Sequence, residues 1–325
     1  MKVALVCALP KMGHVIAVVG PTAAGKSDLA LGLALALGGE VVNADSMQLY
    51  AGMDIGTAKL TAEQRQGVPH HLLDVWDVRR TANVADYQRM AREAIADVLG
   101  RGRVPVLVGG SGLYVRAALD DLDFPGTDPR VRARLEAELA DGGSGLLHAR
   151  LAGIDPRAAA AILPSNGRRI VRALEVIEIS GRPFTAVLPR YESVYPAVQI
   201  GVSVARAELD RRIAGRTSLM WQAGFVAEVA GLDRAGLREG KTASRALGYA
   251  QVLRFLAGEC SQDEALAQTI QATKRFARRQ ESWFRRDPRV IWLDADGVGA
   301  HLLSNAMATI GPCGSRKDTA PRTTS

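Results

Sequence analysis

The sequence predicts an α/β protein: a parallel sheet flanked by helices, with a helical domain inserted into it. Short apolar runs such as Val15-Ile-Ala-Val-Val19 and Arg103-Val-Pro-Val-Leu-Val-Gly109 alternate with longer segments of helical period. Strands buried on both faces read as continuous apolar runs, and parallel strands need crossover connections, usually helices. From Thr127 to about residue 197 the strand pattern stops and alanine, leucine and arginine take over, so that stretch reads as the insertion.

The first strand, Val15 to Val19, leads into Gly20-Pro21-Thr22-Ala23-Ala24-Gly25-Lys26-Ser27 and then the helical run Asp28 to Leu37. The loop matches G-x-x-x-x-G-K-[ST] at every fixed position and in the strand–loop–helix setting that the pattern requires, which makes the sheet P-loop NTPase-like. Gly20 and Gly25 let the backbone wrap closely, so that several N–H groups and a helix N-terminus point at one polyanion. Lys26 adds a mobile positive charge, and Ser27 offers a hydroxyl to Mg²⁺. A glycine-rich turn with a lone lysine would not need all four fixed positions. The loop is a phosphate site, and which phosphorylated compound it holds stays open at this point.

Glu40-Val-Val-Asn-Ala-Asp45 reads as the second strand. Ligands of open α/β sheets lie beyond the carboxyl ends of the strands, so Asp45 should face whatever the phosphate loop holds. A carboxylate there suits a general base, and a turn or N-cap aspartate is the plainer alternative. Ser46 and Gln48 add hydrogen-bonding groups, and glutamine suits an adenine edge. Tyr50 to Lys59 is a glycine-punctuated loop with one acid and one base. His70-His71 precedes Leu72-Leu73-Asp74-Val75, read as another strand. Neither histidine has a partner at metal-ligand spacing, so both are assigned to packing or to support behind a site.

Tyr87 to Leu99 has helical period, and the strand ending at Gly109 enters Gly110-Ser111-Gly112-Leu113-Tyr114. A hydrolysing P-loop ATPase usually places an acid there to hold the metal. Glycines and a serine stand instead, with room for a substrate backbone. In the insertion, Asp141-Gly-Gly-Ser-Gly145 breaks a helix that opens at Asp128, and Arg168, Arg169 and Arg172 cluster further on. Arg168 and Arg172 share one helical face, a phosphate grip or a solvated charged face. Val198 to Val204 resumes the sheet. The following helix carries Arg211, Arg212 and Arg216, any of which could reach the phosphate loop and stabilise a leaving group. In Thr273 to Arg286, Arg275, Arg278, Arg279 and Arg286 interleave with Phe276, Trp283 and Phe284. That pattern suits phosphate-backbone binding with base stacking, or a core-facing aromatic stripe with a basic back. Val290-Ile-Trp-Leu293 closes the sheet.

In collinear order over roughly residues 14 to 295, these stretches resemble the tRNA dimethylallyltransferase (isopentenyl-tRNA transferase) family. The resemblance rests on the phosphate loop, Asn43-Ala-Asp-Ser-Met-Gln48, Asp54-Ile-Gly-Thr-Ala-Lys59, Val68-Pro-His-His71 and Gly109-Gly-Ser-Gly-Leu-Tyr114. It continues through Arg168-Arg-Ile-Val-Arg-Ala-Leu-Glu175, Leu247-Gly-Tyr249 and the Arg275–Arg286 segment. The phosphate loop alone is shared with many kinases, whereas the stretches Asp45–Gln48 and Asp54–Lys59 are far more specific. The resemblance implies Mg²⁺-dependent transfer of a dimethylallyl group from its diphosphate to the exocyclic amine of an adenosine beside the anticodon of tRNA. It implies Asp45 as the base, with Arg216 and Lys26 on the diphosphate. It further implies tRNA contacts at Asp45, Ser46, Met47, Gln48, Ser111 and Arg132, around Arg168, Arg169 and Arg172, and around Arg275, Arg278 and Arg279. Many members carry Asn-Asp-Pro where this chain has Ser165-Asn166-Gly167, and threonine where Ser111 stands.

The 325 residues suit one large domain, or a core with a smaller second one. The expected organisation is an unstructured extension over residues 1–13, a discontinuous core of 14–126 and 198–310, the insertion at 127–197 and a disordered tail at 311–325. With 47% apolar and 23% charged residues, the composition is that of a soluble globular protein, and the net charge of +7 favours a polyanionic partner. Cys7, Cys260 and Cys313 lie far apart, which argues against a disulfide framework or a zinc site and for a reducing compartment. No segment reaches the ~18 apolar residues of a membrane span. The expectation is a cytoplasmic monomer. A small-molecule kinase is the rival enzyme, since it also pairs a phosphate loop with an acid after the second strand; a nucleotide-gated RNA-binding module is the non-enzymatic rival.

Overall fold

The computed structural model describes residues 13–184, 191–295 and 299–311. The chain divides into two compact units, Met1–Leu119 with Ser193–Ser325, and Asp120–Glu192. The expectations for residues 1–12 and 312–325 lie outside the described residues.

The larger unit is built on β1 (Val15–Val19), β2 (Glu40–Asn43), β3 (His70–His71), β4 (Pro105–Gly109), β5 (Ala197–Ser203) and β6 (Val290–Asp294). All pairings are parallel, in the order β3-β2-β4-β1-β5-β6. β1 is central, with Ile16 opposite Val106 on one side and Val198 on the other. All five of its side chains are fully buried, which is why the run is apolar without alternation. The helices are α1 (Lys26–Leu37), α2 (Val84–Gly100), α3 (Gly112–Leu119), α7 (Arg206–Gln222), α8 (Phe225–Arg234), α9 (Tyr249–Leu256), α10 (Gln262–Phe284) and α11 (Gly299–Ile310). Leu29, Leu33 and Leu37 of α1 pack with Ile16, Val18 and Val106 and with Leu302 and Ala306 of α11. α10 starts at a capping box, Ser261 accepting from the Glu264 N–H while Glu264 accepts from the Ser261 N–H. That start lies well before Thr273, where the basic pattern becomes visible.

One expectation is corrected. The strand on this edge is His70–His71, and Leu72 and Asp74 beyond it have φ of 63° and 59°. Left-handed residues cannot continue a strand, and the Asp74 carboxylate turns back to Lys59 Nζ at 2.5 Å. In the smaller unit, α4 (Pro129–Ile154) is interrupted within the 141–145 stretch as expected, Gly143 leaving helical geometry at φ 75° and ψ 170° so that two helical segments meet at a kink. α5 (Pro156–Ala161) and α6 (Gly167–Ser180) complete this unit, and Leu135, Leu147, Leu151, Ile170 and Leu174 form its core.

At the amino end of β2, Glu40 is 2% exposed and takes a bidentate pair from Arg101 and a hydrogen bond from His71 Nε2 at 2.7 Å. The Arg101 guanidinium, helped by His71 against the cost of burial, holds the Glu40 carboxyl down to about 2. Glu40→Gln is expected to lower unfolding free energy by about 2 kcal/mol at neutral pH, measured in urea. A carboxyl depressed in the fold contributes its stability above its unfolded value and loses it as pH falls through the folded one. The gap between wild type and variant should therefore close as pH drops from 4.5 towards about 2.

Candidate active site

The site forms where β1, β2 and β4 end. Gly25 caps α1 with φ of 95°, which turns the loop so that the helix begins at Lys26. Lys26 Nζ donates to Pro21 O at 2.8 Å, folding back over its own loop. Burial and then the charge of Arg216 pull the Lys26 ammonium down to about 8, while Asp45 opposes them. Burial likewise lowers Arg216, again opposed by Asp45. The Asp45 carboxylate is therefore felt at both Lys26 and Arg216.

Of Arg211, Arg212 and Arg216 on α7, Arg216 reaches the loop, its Nη2 donating to Thr22 Oγ1. Arg211 and Arg212 are drawn to Glu208 instead, at 2.8 and 2.7 Å. Helical spacing places Arg212 and Arg216 on one face, and the acid one turn back removes Arg212 from contention.

Asp45 makes the contact of the plainer of its two readings. Its Oδ1 accepts from the Met47 N–H at 2.9 Å, a turn contact, while Oδ2 accepts no hydrogen bond from the described residues. Asn43 holds the backbone on either side of this turn: its Oδ1 accepts from the Asp45 N–H at 2.9 Å, and its Nδ2 donates to Asp45 O and Leu72 O, both at 3.0 Å. Ser46 Oγ lies 3.4 Å from Ser111 Oγ, which brings the ends of β2 and β4 together. Gln48 gives Nε2 to Thr57 O at 3.0 Å, so one N–H of its amide serves the protein.

The 54–59 stretch is the scaffold behind this turn. Lys59 Nζ is buried between Asp54 at 2.6 Å, Asp74 at 2.5 Å and Tyr50 O at 3.1 Å. Glu228 of α8 gathers the N–H groups of Asp54, Ile55 and Gly56, together with Tyr249 OH at 2.5 Å. The histidines have the packing contacts expected of them: His70 Nδ1 to Val68 O at 2.8 Å, and His71 to Glu40.

The glycines after β4 do not leave space for a substrate backbone. A Cβ on Gly110 would lie 2.2 Å from Gln280 Nε2, and one on Gly112 would lie 2.1 Å from the Trp283 ring. α10 fills both places. Gln280 accepts from the Thr22 N–H and donates to Gly110 O, each at 2.9 Å. Sequence reasoning missed Gln280 and Glu228. Gln280 stands inside the basic segment, where the arginines dominate the pattern, and Glu228 has no local signal.

The basic residues divide. Arg275, Arg278 and Arg279 on α10 are exposed, with Arg279 5.8 Å from the Phe276 ring centre. Phe284 is buried and Trp283 is 38% exposed, so the aromatic positions serve both core and surface. In the smaller unit Arg168 and Arg169 are exposed. Arg132 and Arg172 bind the fully buried Glu175, and Arg172 also donates to Pro125 O and Gly126 O. Burial alone would raise the Glu175 carboxyl, but the two guanidiniums hold it below its ordinary value. Among the described residues no three His, Cys, Asp or Glu side chains gather to hold a metal ion.

A loop of the G-x-x-x-x-G-K-[ST] pattern at the carboxyl end of the central strand of a parallel sheet, with Lys26 and Arg216 beside it, gives this chain a P-loop-like fold. The chain matches the family model for IPP transferase over residues 48–287. It is 72% identical to the tRNA dimethylallyltransferase of Thermobifida fusca over 304 residues, covering 92% of this chain and 95% of that one. The tRNA isopentenylpyrophosphate transferase of Bacillus halodurans superposes with a TM-score of 0.69 at 40% identity, over 92% of this chain and 96% of that one. A eukaryotic dimethylallyltransferase acting on tRNA has the same fold, with a TM-score of 0.79 at 23% identity over 95% of this chain and 82% of that one. The chain belongs to the IPP transferase family.

Proposed function

We propose that this enzyme transfers the dimethylallyl group of dimethylallyl diphosphate to the N6 amine of the adenosine 3′-adjacent to the anticodon, in tRNAs that read codons beginning with U. The observation that carries the reading is that Lys26 and Arg216 both donate into the Gly20–Ser27 loop, Asp45 influencing both, while the neighbouring strand β4 runs into Gly110-Ser111 instead of an acid. Such a site suits a leaving diphosphate better than a γ-phosphate attacked by water. The amine nitrogen attacks C1 of the prenyl group as the C1–O bond to the diphosphate breaks, and Asp45 Oδ2 takes the N6 proton. Lys26, the loop amides and Arg216 stabilise the departing charge. The base must leave its stack to reach Asp45, which costs least in a single-stranded loop.

The donor set suits a divalent ion that arrives with the substrate. Mg²⁺ prefers substrate phosphates and waters with one or two protein oxygens, and Ser27 Oγ in the first turn of α1 is such an oxygen. Bound there, Mg²⁺ would neutralise charge on the diphosphate.

Asp45 to Gln48 and Ser111 would contact the adenosine and its neighbours. Arg275, Arg278 and Arg279 would grip the phosphates of the anticodon stem-loop, with further contacts from Arg168 and Arg169. Arg132 and Arg172 would contribute the charge that Glu175 leaves unneutralised. Among the described residues no helix is long and apolar enough to cross a membrane.

Mass spectrometry of unmodified tRNA after incubation with the protein, Mg²⁺ and dimethylallyl diphosphate tests the reading. The expected result is one added dimethylallyl group on the adenosine beside the anticodon. No gain, with phosphate moved from ATP to a small acceptor, would replace it with a kinase. Arg275→Ala with Arg279→Ala is expected to weaken tRNA binding roughly tenfold and to reduce the slope of log K against log salt by about two. An unchanged slope would remove α10 from the tRNA interface.

A further inference from the structure

Gln280 is 5% exposed and lies between Ala277 and Phe284 on the buried side of α10. Both ends of its amide are used, one on each side of the site. Oε1 accepts from the N–H of Thr22 in the phosphate loop, and Nε2 donates to the carbonyl of Gly110 in the loop after β4. A carboxamide carries a donor and an acceptor side by side in one planar group and keeps both at every pH of interest. Thr22 is gripped twice, by Gln280 at its backbone and by Arg216 at its hydroxyl. Ser111 is gripped on either side, because Gly110 lies against Gln280 and Gly112 lies under Trp283, the next turn of the same helix. A side chain on Gly110 would displace the Gln280 amide, and one on Gly112 the Trp283 ring.

We propose that Gln280 is a positioning residue that sets the phosphate loop, which holds the diphosphate donor, against the Gly110–Gly112 loop, which presents Ser111 to the acceptor. The proposal rests on the prenyl-transfer reading above for what the two loops hold. Gln280 touches neither reacting group. It acts through Thr22 and Gly110, so its loss should damage donor binding and turnover together while leaving the tRNA surface intact.

The test compares the full-length wild type with Gln280→Ala and Gln280→Glu. Three quantities are measured: Kd for inorganic pyrophosphate with Mg²⁺, kcat and KM for dimethylallyl diphosphate at saturating tRNA, and Kd for tRNA. Gln280→Ala should weaken pyrophosphate binding about tenfold and lower kcat/KM between about 10- and 100-fold, the range for a buried amide N–H and carbonyl left without partners. Its Kd for tRNA should stay within about twofold, which also shows that the variant is folded.

Gln280→Glu supplies a pH signature. As a carboxylate it can accept from Thr22 but faces Gly110 O with a second acceptor; when protonated, its O–H can donate to that carbonyl. The ratio of variant to wild-type kcat/KM, which cancels the titration of the other groups, should rise as pH falls. Pyrophosphate affinities equal to wild type in both variants would overturn the proposal, as would a pH-independent ratio for Gln280→Glu. If the wild type transfers no prenyl group, the functional reading fails, and the pyrophosphate affinities still decide whether Gln280 sets the loop.

Discussion

Asp45→Asn is expected to reduce kcat for prenyl transfer by about a thousandfold while Kd for tRNA stays within about twofold. The substitution separates the two things that Asp45 does. Its Oδ1 closes a turn on the Met47 N–H, and an amide oxygen can accept that bond equally well. Asn43 holds the backbone from the other side, so the turn should keep its shape. What asparagine cannot do is take a proton from the attacking amine. A turn aspartate with no chemistry would tolerate the change, so activity within tenfold of wild type would dismiss Asp45 as the base. Asp45→Ala removes both contributions and should be no more active than Asp45→Asn. It should also bind tRNA less well, to the extent that the turn loosens.

Lys26→Ala is expected to lower kcat/KM for dimethylallyl diphosphate by about 10²- to 10³-fold, the loss typical of a preorganised stabiliser of leaving charge. The pH dependence of the wild type reports on the same group. Burial, with Arg216 beside it, brings the Lys26 ammonium down to about 8, against an ordinary value of 10.5. The sign follows directly. Below about pH 8 the free enzyme carries the charge that the diphosphate needs. Above it the lysine is neutral, and binding must first take up a proton. The kcat/KM for the donor should therefore fall as pH rises through about 8, by up to tenfold per pH unit. Lys26→Arg keeps its charge throughout that range, so its profile should be lower but flat there. Asp45 helps to hold Lys26 protonated, so Asp45→Asn should move the break in pyrophosphate affinity to lower pH. A wild-type profile level from pH 7 to 9.5 would contradict the burial of Lys26 beside Arg216.

Much of this was legible in the chain because it is encoded by near neighbours. A buried strand, a loop with two glycines and a lysine, the helix after it and the lack of an acid at the end of β4 are all local patterns. The same holds for Asp45, which needs only the end of a strand to place it. The edge near Leu72 misled because its residues are apolar and β-prone; what bends them is the pull of Lys59 on Asp74, made by a loop that local pattern does not orient. The glycines after β4 misled in the same way. An unoccupied space is read correctly as needing glycine, but the sequence does not say what enters it.

The sequence by itself determined the phosphate loop, the parallel sheet, the carboxylate at the end of β2 and the basic character of α10. Each depends on period, spacing or charge within a few turns of chain. Only the tertiary structure decided which arginine of α7 meets the loop, that Arg132 and Arg172 hold Glu175, and that Glu228 and Gln280 support the site. The physical reason is separation. Thr22 and Gln280 are 258 residues apart, and hydrogen bonds over such a distance exist only once the helices have packed. Which of several chemically equivalent side chains makes the contact is then settled by competition with the acids nearest to it.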